Sequence, residues 1–202
     1  MFTLPNLITI FRILLVPVFA LAFALPGDTA RLTAFVVFCI AGASDALDGL
    51  AARKLNASSS FGRMLDPIAD KILVGVALMM LVAEGSVHQF LLVPGLGGLL
   101  KLVPALVILS REILVSGLRE FLAGVSVSIP VSSIAKMKTT IQMIAIGAMI
   151  LGPIADRFLP GAEAFAYIAL WVAAALTVYT GYAYFSAGLA YLHPRGDSGD
   201  AA

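Results

Sequence analysis

Charged residues are scarce in this chain: Asp, Glu, Lys and Arg make up only 12% of its 202 residues, whereas 60% are hydrophobic. This composition is too apolar for a soluble domain. We expect a single membrane domain over residues 1–202, with a polar tail from about residue 193. The formal net charge is only +1. This charge argues against the extended basic surface that binds a nucleic-acid backbone, so no nucleic-acid partner is expected.

Cysteine and histidine are also rare. The single cysteine, Cys39, cannot form a disulfide within the chain and lies in an apolar run. Of the two histidines, His88 falls in an irregular segment and His193 in the polar tail. A zinc site would be expected to use cysteine or histidine ligands, so none is indicated. Neither histidine is placed to act as a nucleophile.

The first apolar run has no basic region before it and no small-residue cleavage site after it. We therefore expect it to be retained as a helix, against the alternative of a cleaved leader. Apolar runs of about 20 residues, the length that spans a bilayer, begin near six positions: Leu7, Leu32, Ile68, Lys101, Ser133 and Ala164. The expected fold class is all-α, a polytopic membrane protein with six transmembrane helices.

Two segments depart from simple spans. The first helix follows Pro5 and Asn6 and carries Arg12 and Pro17, so its opening turns are expected to form an N-terminal interfacial segment. Residues 85–100 are apolar but interrupted by proline and glycine. This pattern favours an interfacial or re-entrant loop over a seventh span.

Four aspartates stand out against the apolar background. Each costs roughly 2.5 to 3.5 kcal/mol at membrane depth, so each needs a partner or a wet cavity. Asp45 and Asp48 are three residues apart and Asp66 and Asp70 are four apart, so each pair lies on one helical face. The polar segment 54–62 can turn the chain and bring the pairs together. Carboxylate oxygens in this number predict a site for Mg²⁺ or Mn²⁺.

Helix capping is the alternative interpretation of these carboxylates. Asp66 precedes Pro67, which is the pattern of an N-cap followed by proline at the first helical position. Capping and metal binding can share that residue.

Basic residues distinguish an enzyme from an ion pathway. Cations gathered at one membrane face would obstruct a path for metal ions, but they would bind a substrate with several phosphates. The residues concerned are Arg53, Arg111, Arg119, Lys136 and Lys138. Each has an alternative role in setting topology or contacting anionic lipids. Arg111 and Arg119 also have the alternative of pairing with the acids that follow them, Glu112 and Glu120.

Lys and Arg are distributed unequally between the two ends of the predicted helices. One end carries Arg53, Lys54, Arg63, Arg119, Lys136, Lys138 and Arg195, and the other carries Arg31, Lys101 and Arg157. The positive-inside rule therefore places the aspartates and both termini on the cytoplasmic side.

The aspartate stretch reads D-x2-D-G-x2-A-R-x8-G-x3-D-x3-D, with fixed positions Asp45, Asp48, Gly49, Ala52, Arg53, Gly62, Asp66 and Asp70. It resembles the signature of the CDP-alcohol phosphotransferase family at every fixed position. The resemblance implies that the four aspartates bind two divalent metal ions and that Asp70 is also the candidate base. It assigns the CDP moiety to Gly49, Ala52 and Arg53, where small residues let the nucleotide lie close to the backbone.

The resemblance also implies the reaction. An acceptor hydroxyl attacks the lipid-side phosphorus of a CDP-linked lipid and CMP leaves, with the metals neutralising the developing charge. Because no histidine is placed as a nucleophile, direct displacement is preferred to a phosphohistidine intermediate.

Segments outside the signature, LPNLITIFRILLVPVF, SREILVSGLREFLA and KMKTTIQM, resemble bacterial phosphatidylglycerophosphate synthases. This likeness implies CDP-diacylglycerol and sn-glycerol 3-phosphate as substrates in the bacterial inner membrane. The acceptor phosphate would then be bound by Arg111, Arg119, Lys136 and Lys138. A homodimer is expected from the resemblance, and small residues such as Gly181 and Gly188 permit close helix approach.

Two alternatives to this function remain open. The first is a sibling enzyme whose acceptor is inositol phosphate, serine or phosphatidylglycerol. The second is a divalent-cation transporter or a metal-binding membrane scaffold. Composition cannot choose the acceptor.

Overall fold

In the computed structural model of the chain, the described residues are 4–55, 60–88, 97–125 and 133–192; the predicted tail lies outside them. Every regular element in these ranges is an α-helix, which confirms the all-α prediction. The helices are α1 (Leu4–Ala24), α2 (Asp28–Leu55), α3 (Ser60–His88), α4 (Gly97–Gly124), α5 (Ser133–Ala155) and α6 (Ala162–Leu192).

The start of α3 differs from the prediction that Asp66 and Pro67 open the third helix. The helix begins at Ser60, and Pro67 lies inside it. Asp66 is therefore not a cap; its carboxylate accepts a hydrogen bond from Thr9 Oγ1 of α1 at 2.7 Å. A contact between helices thus takes the place of the local contact that the sequence indicated.

The loop predicted at residues 85–100 is wrong at both of its ends. α3 continues through His88 and α4 begins at Gly97, while residues 89–96 lie outside the described part. The first proline after Glu84 is Pro94, and an isolated glycine costs a helix only about 1 kcal/mol. No strong helix breaker therefore stands immediately after Glu84.

The bundle core forms where α1, α2, α3 and α5 meet, and α6 closes it against α4 and α5. Phe19 of α1 and Phe38 of α2 are buried there, with ring centroids 5.9 Å apart. Leu78 of α3 and Ile146 of α5 are also fully buried. Many large apolar side chains instead point outward, which is typical of a bundle surrounded by lipid.

Three of the described helices contain a stretch that is long and apolar enough to cross a membrane: Asn6–Ala24, Met137–Ala155 and Ala162–Gly188. These helices identify the chain as a membrane protein. The helices α2, α3 and α4 have 28 or 29 residues each, but they carry the charged residues discussed below. Those charges lower the hydropathy of helices that have sufficient length.

Arg31, at the start of α2, joins three helices at the end of the bundle remote from the aspartates. Its guanidinium pairs with Glu84 of α3 and donates from Nε to the Ile150 carbonyl of α5 at 2.6 Å. It also reaches the Met149 carbonyl, whose usual donor four residues later is missing at Pro153. Arg31 therefore satisfies backbone acceptors where α5 nears its end.

Gly181 and Gly188 lie against α4 of the same chain. A Cβ added at Gly181 would lie 3.0 Å from Arg111 Cγ, and one at Gly188 would lie 3.2 Å from Leu118 Cδ2. These glycines permit close packing of α4 and α6 within one protomer. They therefore do not support contact with a second copy, and the homodimer stays a prediction.

Candidate active site

A cavity of about 760 Å³ lies between α2, α3, α4 and α5. Its polar lining includes both aspartates of α3 together with charged or amide side chains from α4 and α5: Asp66, Asp70, Glu112, Arg119, Lys138 and Gln142. Apolar side chains complete the wall, among them Leu73, Val74 and Val115. The cavity can therefore accept a ligand that is charged at one part and apolar at another.

The two aspartates of α3 are held by polar side chains of α1. Thr9 Oγ1 donates to Asp66 Oδ1 at 2.7 Å, and Arg12 Nη1 lies 2.6 Å from Asp70 Oδ1. Arg12 is fully buried, whereas the Asp70 side chain is 51% exposed. A charge-assisted hydrogen bond therefore fixes one carboxylate oxygen of Asp70 while the side chain still lines the cavity.

Sequence reasoning missed the contribution of α1. Asn6, Thr9 and Arg12 are spaced three residues apart, so they lie on one side of the helix, and each is no more than 1% exposed. The sequence signal was a row of polar residues in an otherwise apolar helix. Arg12 was instead interpreted as part of an interfacial segment.

The other predicted motif residues all lie in the second half of α2: Asp45, Asp48, Gly49, Ala52 and Arg53. Their backbone is helical, which confirms that the first aspartate pair shares one helix; their side chains lie outside the described set. Arg12 provides a link between the two pairs, because its Nε donates to Ser44 Oγ at 3.1 Å while its Nη1 contacts Asp70. Ser44 directly precedes Asp45. The motif segments of α2 and α3 are therefore adjacent, and convergence of all four carboxylates stays a prediction.

Lys138 and Arg119 line the cavity. Lys138 is buried and its ammonium group forms an ion pair with Glu112 of α4. This pair joins α4 to α5 within the cavity wall. Lys136 precedes Lys138 by two residues in α5, but its side chain lies outside the described set.

Arg111 has a different position. It is not among the described residues that line the cavity; its guanidinium contacts Glu112 at 3.3 Å and Thr180 Oγ1 of α6 at 3.2 Å. The alternative interpretation, pairing with the neighbouring acid, therefore describes this arginine. Glu112 also pairs with Lys138, which lines the cavity. Arg111 therefore contacts a residue of the cavity wall without lining the cavity itself.

Comparison with known proteins identifies the family of this arrangement. A family model described as CDP-alcohol phosphatidyltransferase matches residues 2–179. The chain belongs to this family. It is similar to proteins named CDP-diacylglycerol–glycerol-3-phosphate 3-phosphatidyltransferase. The Rickettsia bellii protein is 45% identical over 91% of this chain and 94% of its own length. The Escherichia coli K12 protein is 40% identical over 95% and 97%, respectively.

CDP-alcohol phosphatidyltransferases use divalent metal ions. The donor chemistry of this cavity fits such ions, because Asp66 and Asp70 present hard carboxylate oxygens and are oriented by Thr9 and Arg12. Among the described side chains, no group of three metal-ligating residues occurs. The other two predicted ligands, on α2, lie outside that set.

Proposed function

We propose that this protein transfers the phosphatidyl group from CDP-diacylglycerol to sn-glycerol 3-phosphate, forming phosphatidylglycerol phosphate and CMP. The observation that carries this conclusion is the similarity, over more than nine-tenths of the chain, to relatives named for those two substrates. The cavity supports it independently, because carboxylates of α3 face a wall that contains the basic residues Arg119 and Lys138.

Two divalent ions, Mg²⁺ or Mn²⁺, would be held by Asp45, Asp48, Asp66 and Asp70. When bound, they supply charge neutralisation at the diphosphate. The chain's own contribution is to orient the ligands: Thr9 holds Asp66, and Arg12 holds Asp70.

The residues that bind the nucleotide and the residue that acts as the catalytic base are all assigned to the aspartate motif. Gly49, Ala52 and Arg53 bind the CDP moiety, with Arg53 pairing with a phosphate. Asp70 removes the proton of the acceptor hydroxyl. The hydroxyl oxygen then bonds to the lipid-side phosphorus, the bond from that phosphorus to the CMP oxygen breaks, and CMP leaves with the electron pair.

The acceptor phosphate is assigned to Arg119, Lys136 and Lys138. An ammonium group has three donors, so the contact of Lys138 with Glu112 leaves it able to bind a phosphate oxygen as well. Arg111 acts indirectly, since it contacts Glu112 and α6. It thereby positions the Glu112–Lys138 pair.

The membrane placement follows from helix length and charge. We propose that all six helices span the bacterial inner membrane, with the first turns of α1 at the interface and the cavity open to the cytoplasm. At 1.5 Å rise per residue, 28 residues measure about 42 Å, more than the roughly 30 Å of bilayer hydrocarbon. A homodimer is part of the proposal and rests on the family resemblance.

Initial rates of CMP release from the purified protein in detergent test the proposed function. CDP-diacylglycerol is supplied with glycerol 3-phosphate, inositol phosphate, serine or phosphatidylglycerol. We expect rapid release with glycerol 3-phosphate and background release with the others. Preference for another acceptor would reassign the enzyme to a sibling. Absence of CMP release, together with metal uptake by proteoliposomes, would favour the transporter alternative.

A further inference from the structure

Gln142 of α5 has a buried carboxamide oxygen with no described partner. The residue is 2% exposed, and Oε1 accepts no hydrogen bond from the part of the chain that the structure describes. An unsatisfied buried acceptor is costly, so native proteins rarely leave one without a role. Unlike the other buried polar atoms of this kind, Gln142 lines the cavity beside the α3 aspartates. This carboxamide oxygen is therefore located in the cavity that we propose binds the substrates.

The position of Gln142 links it to the acceptor side of the cavity. It follows Lys138 by four residues, so both lie on the same face of α5, about 6 Å apart along the axis. The next residue, Met143, reaches Gly42 of α2: a Cβ there would lie 2.6 Å from Met143 Cε. Gly42 precedes Asp45 by three residues. α5 therefore packs against α2 at the residue that follows Gln142, close to the start of the aspartate motif.

The chemistry of the atom restricts its partner. A carboxamide oxygen accepts hydrogen bonds and cannot bind the acceptor oxygens of a phosphate group. Glycerol 3-phosphate carries two hydroxyl donors, of which the primary one reacts and the secondary one does not. With its phosphate at Lys138, this three-carbon molecule has a length comparable with one helical turn. Its secondary hydroxyl can thus reach Gln142 while the primary hydroxyl lies near Asp70.

We propose that Gln142 is a specificity-determining residue whose Oε1 accepts a hydrogen bond from the unreactive hydroxyl of the acceptor alcohol. The inference rests on the proposed function and extends it to the recognition of the acceptor. It predicts that the cavity selects a glycerol phosphate over a phosphorylated alcohol that lacks the second hydroxyl. A site built to bind a hydroxyl rejects the analogue without it, because its own polar atom is then left unpaired.

The test compares glycerol 3-phosphate with 3-hydroxypropyl phosphate, which lacks only the middle hydroxyl. Three proteins are used: the wild type, Gln142→Met and Thr177→Val. The methionine keeps the length of the side chain and removes the acceptor. Thr177 is the matched control, because its buried Oγ1 also has no described partner but the residue does not line the cavity. The measured quantity is the ratio of kcat/KM for the two acceptors.

We expect the wild type and Thr177→Val to prefer glycerol 3-phosphate by about tenfold or more, and Gln142→Met to lower this ratio to about twofold or less. The KM for CDP-diacylglycerol should not change. The proposal is overturned if Gln142→Met keeps the wild-type ratio, if the wild type shows no preference, or if the variant raises only the KM for CDP-diacylglycerol. Should the methionine variant fail to fold, Gln142→Asn, whose shorter side chain withdraws the oxygen, is judged by the same ratio. Failure of the proposed function would differ, because glycerol 3-phosphate itself would then give no CMP.

Discussion

Arg12 is the residue whose removal tests the construction of the site most sharply. The Arg12→Met variant keeps an unbranched apolar side chain and removes the guanidinium that contacts Asp70 at 2.6 Å and Ser44 at 3.1 Å. Removing one partner from a fully buried ion pair costs about 3 to 5 kcal/mol. Here Arg12 is buried but the Asp70 side chain is 51% exposed, so water compensates part of the loss. We therefore expect a loss of about 1.5 to 3 kcal/mol in the free energy of unfolding, the value of one charge-assisted hydrogen bond.

The effect of Arg12→Met on activity should exceed its effect on stability. Asp70 would lose its contact with Arg12, and a displacement of about 1 Å at a reacting group can cost about a hundredfold in rate. The assay is kcat/KM for CMP release, measured with thermal unfolding in the same detergent. Arg31→Met is the matched control: it removes a partly buried arginine paired with Glu84 at the opposite end of the bundle. It should lower the unfolding temperature and leave kcat/KM unchanged. Equal kcat/KM for folded Arg12→Met and the wild type would refute the assignment.

Three further predictions concern metal, charge and packing. EDTA should abolish CMP release and Mg²⁺ or Mn²⁺ should restore it, while Asp66→Asn should stay inactive with added metal; release in the presence of EDTA would contradict the metal site. Arg119→Ala and Lys138→Met should each raise the KM for glycerol 3-phosphate by about ten- to a hundredfold, without changing that for CDP-diacylglycerol; the opposite pattern would exchange the two substrate sites. Gly181→Val should lower the unfolding temperature, because its side chain meets Arg111 at close to 3.0 Å. Native mass spectrometry should find its oligomeric state unchanged, and dissociation would place this glycine at a subunit contact instead.

Features set by local spacing could be predicted from the sequence. Six apolar runs predicted six helices, and the spacing of Asp66 and Asp70 predicted that both lie on one helix. Each of these predictions depends on periodicity within one segment, which the sequence displays directly.

Features set by contacts between distant segments could not be predicted. The contacts of Thr9 with Asp66 and of Arg12 with Asp70 join residues that are more than 50 positions apart in the sequence. Gly181 is a second example. The sequence shows that it is small, but it does not show that its neighbour is Arg111 of another helix. The sequence shows that Gly181 permits close helix approach, but only the fold shows that the neighbouring helix belongs to the same chain.

The most direct test of the central claim is product analysis after reaction with glycerol 3-phosphate carrying ¹⁸O in its primary hydroxyl. Purified protein in lipid vesicles is supplied with CDP-diacylglycerol and Mg²⁺, and the products are identified by mass spectrometry. Attack of the hydroxyl on the lipid-side phosphorus predicts unlabelled CMP and phosphatidylglycerol phosphate that retains the label in its new phosphodiester. Attack on the nucleotide-side phosphorus would instead release phosphatidate and join the labelled oxygen to CMP, giving a cytidine 5′-phosphodiester of glycerol 3-phosphate. Either that result or an unlabelled lipid product would contradict the proposed reaction.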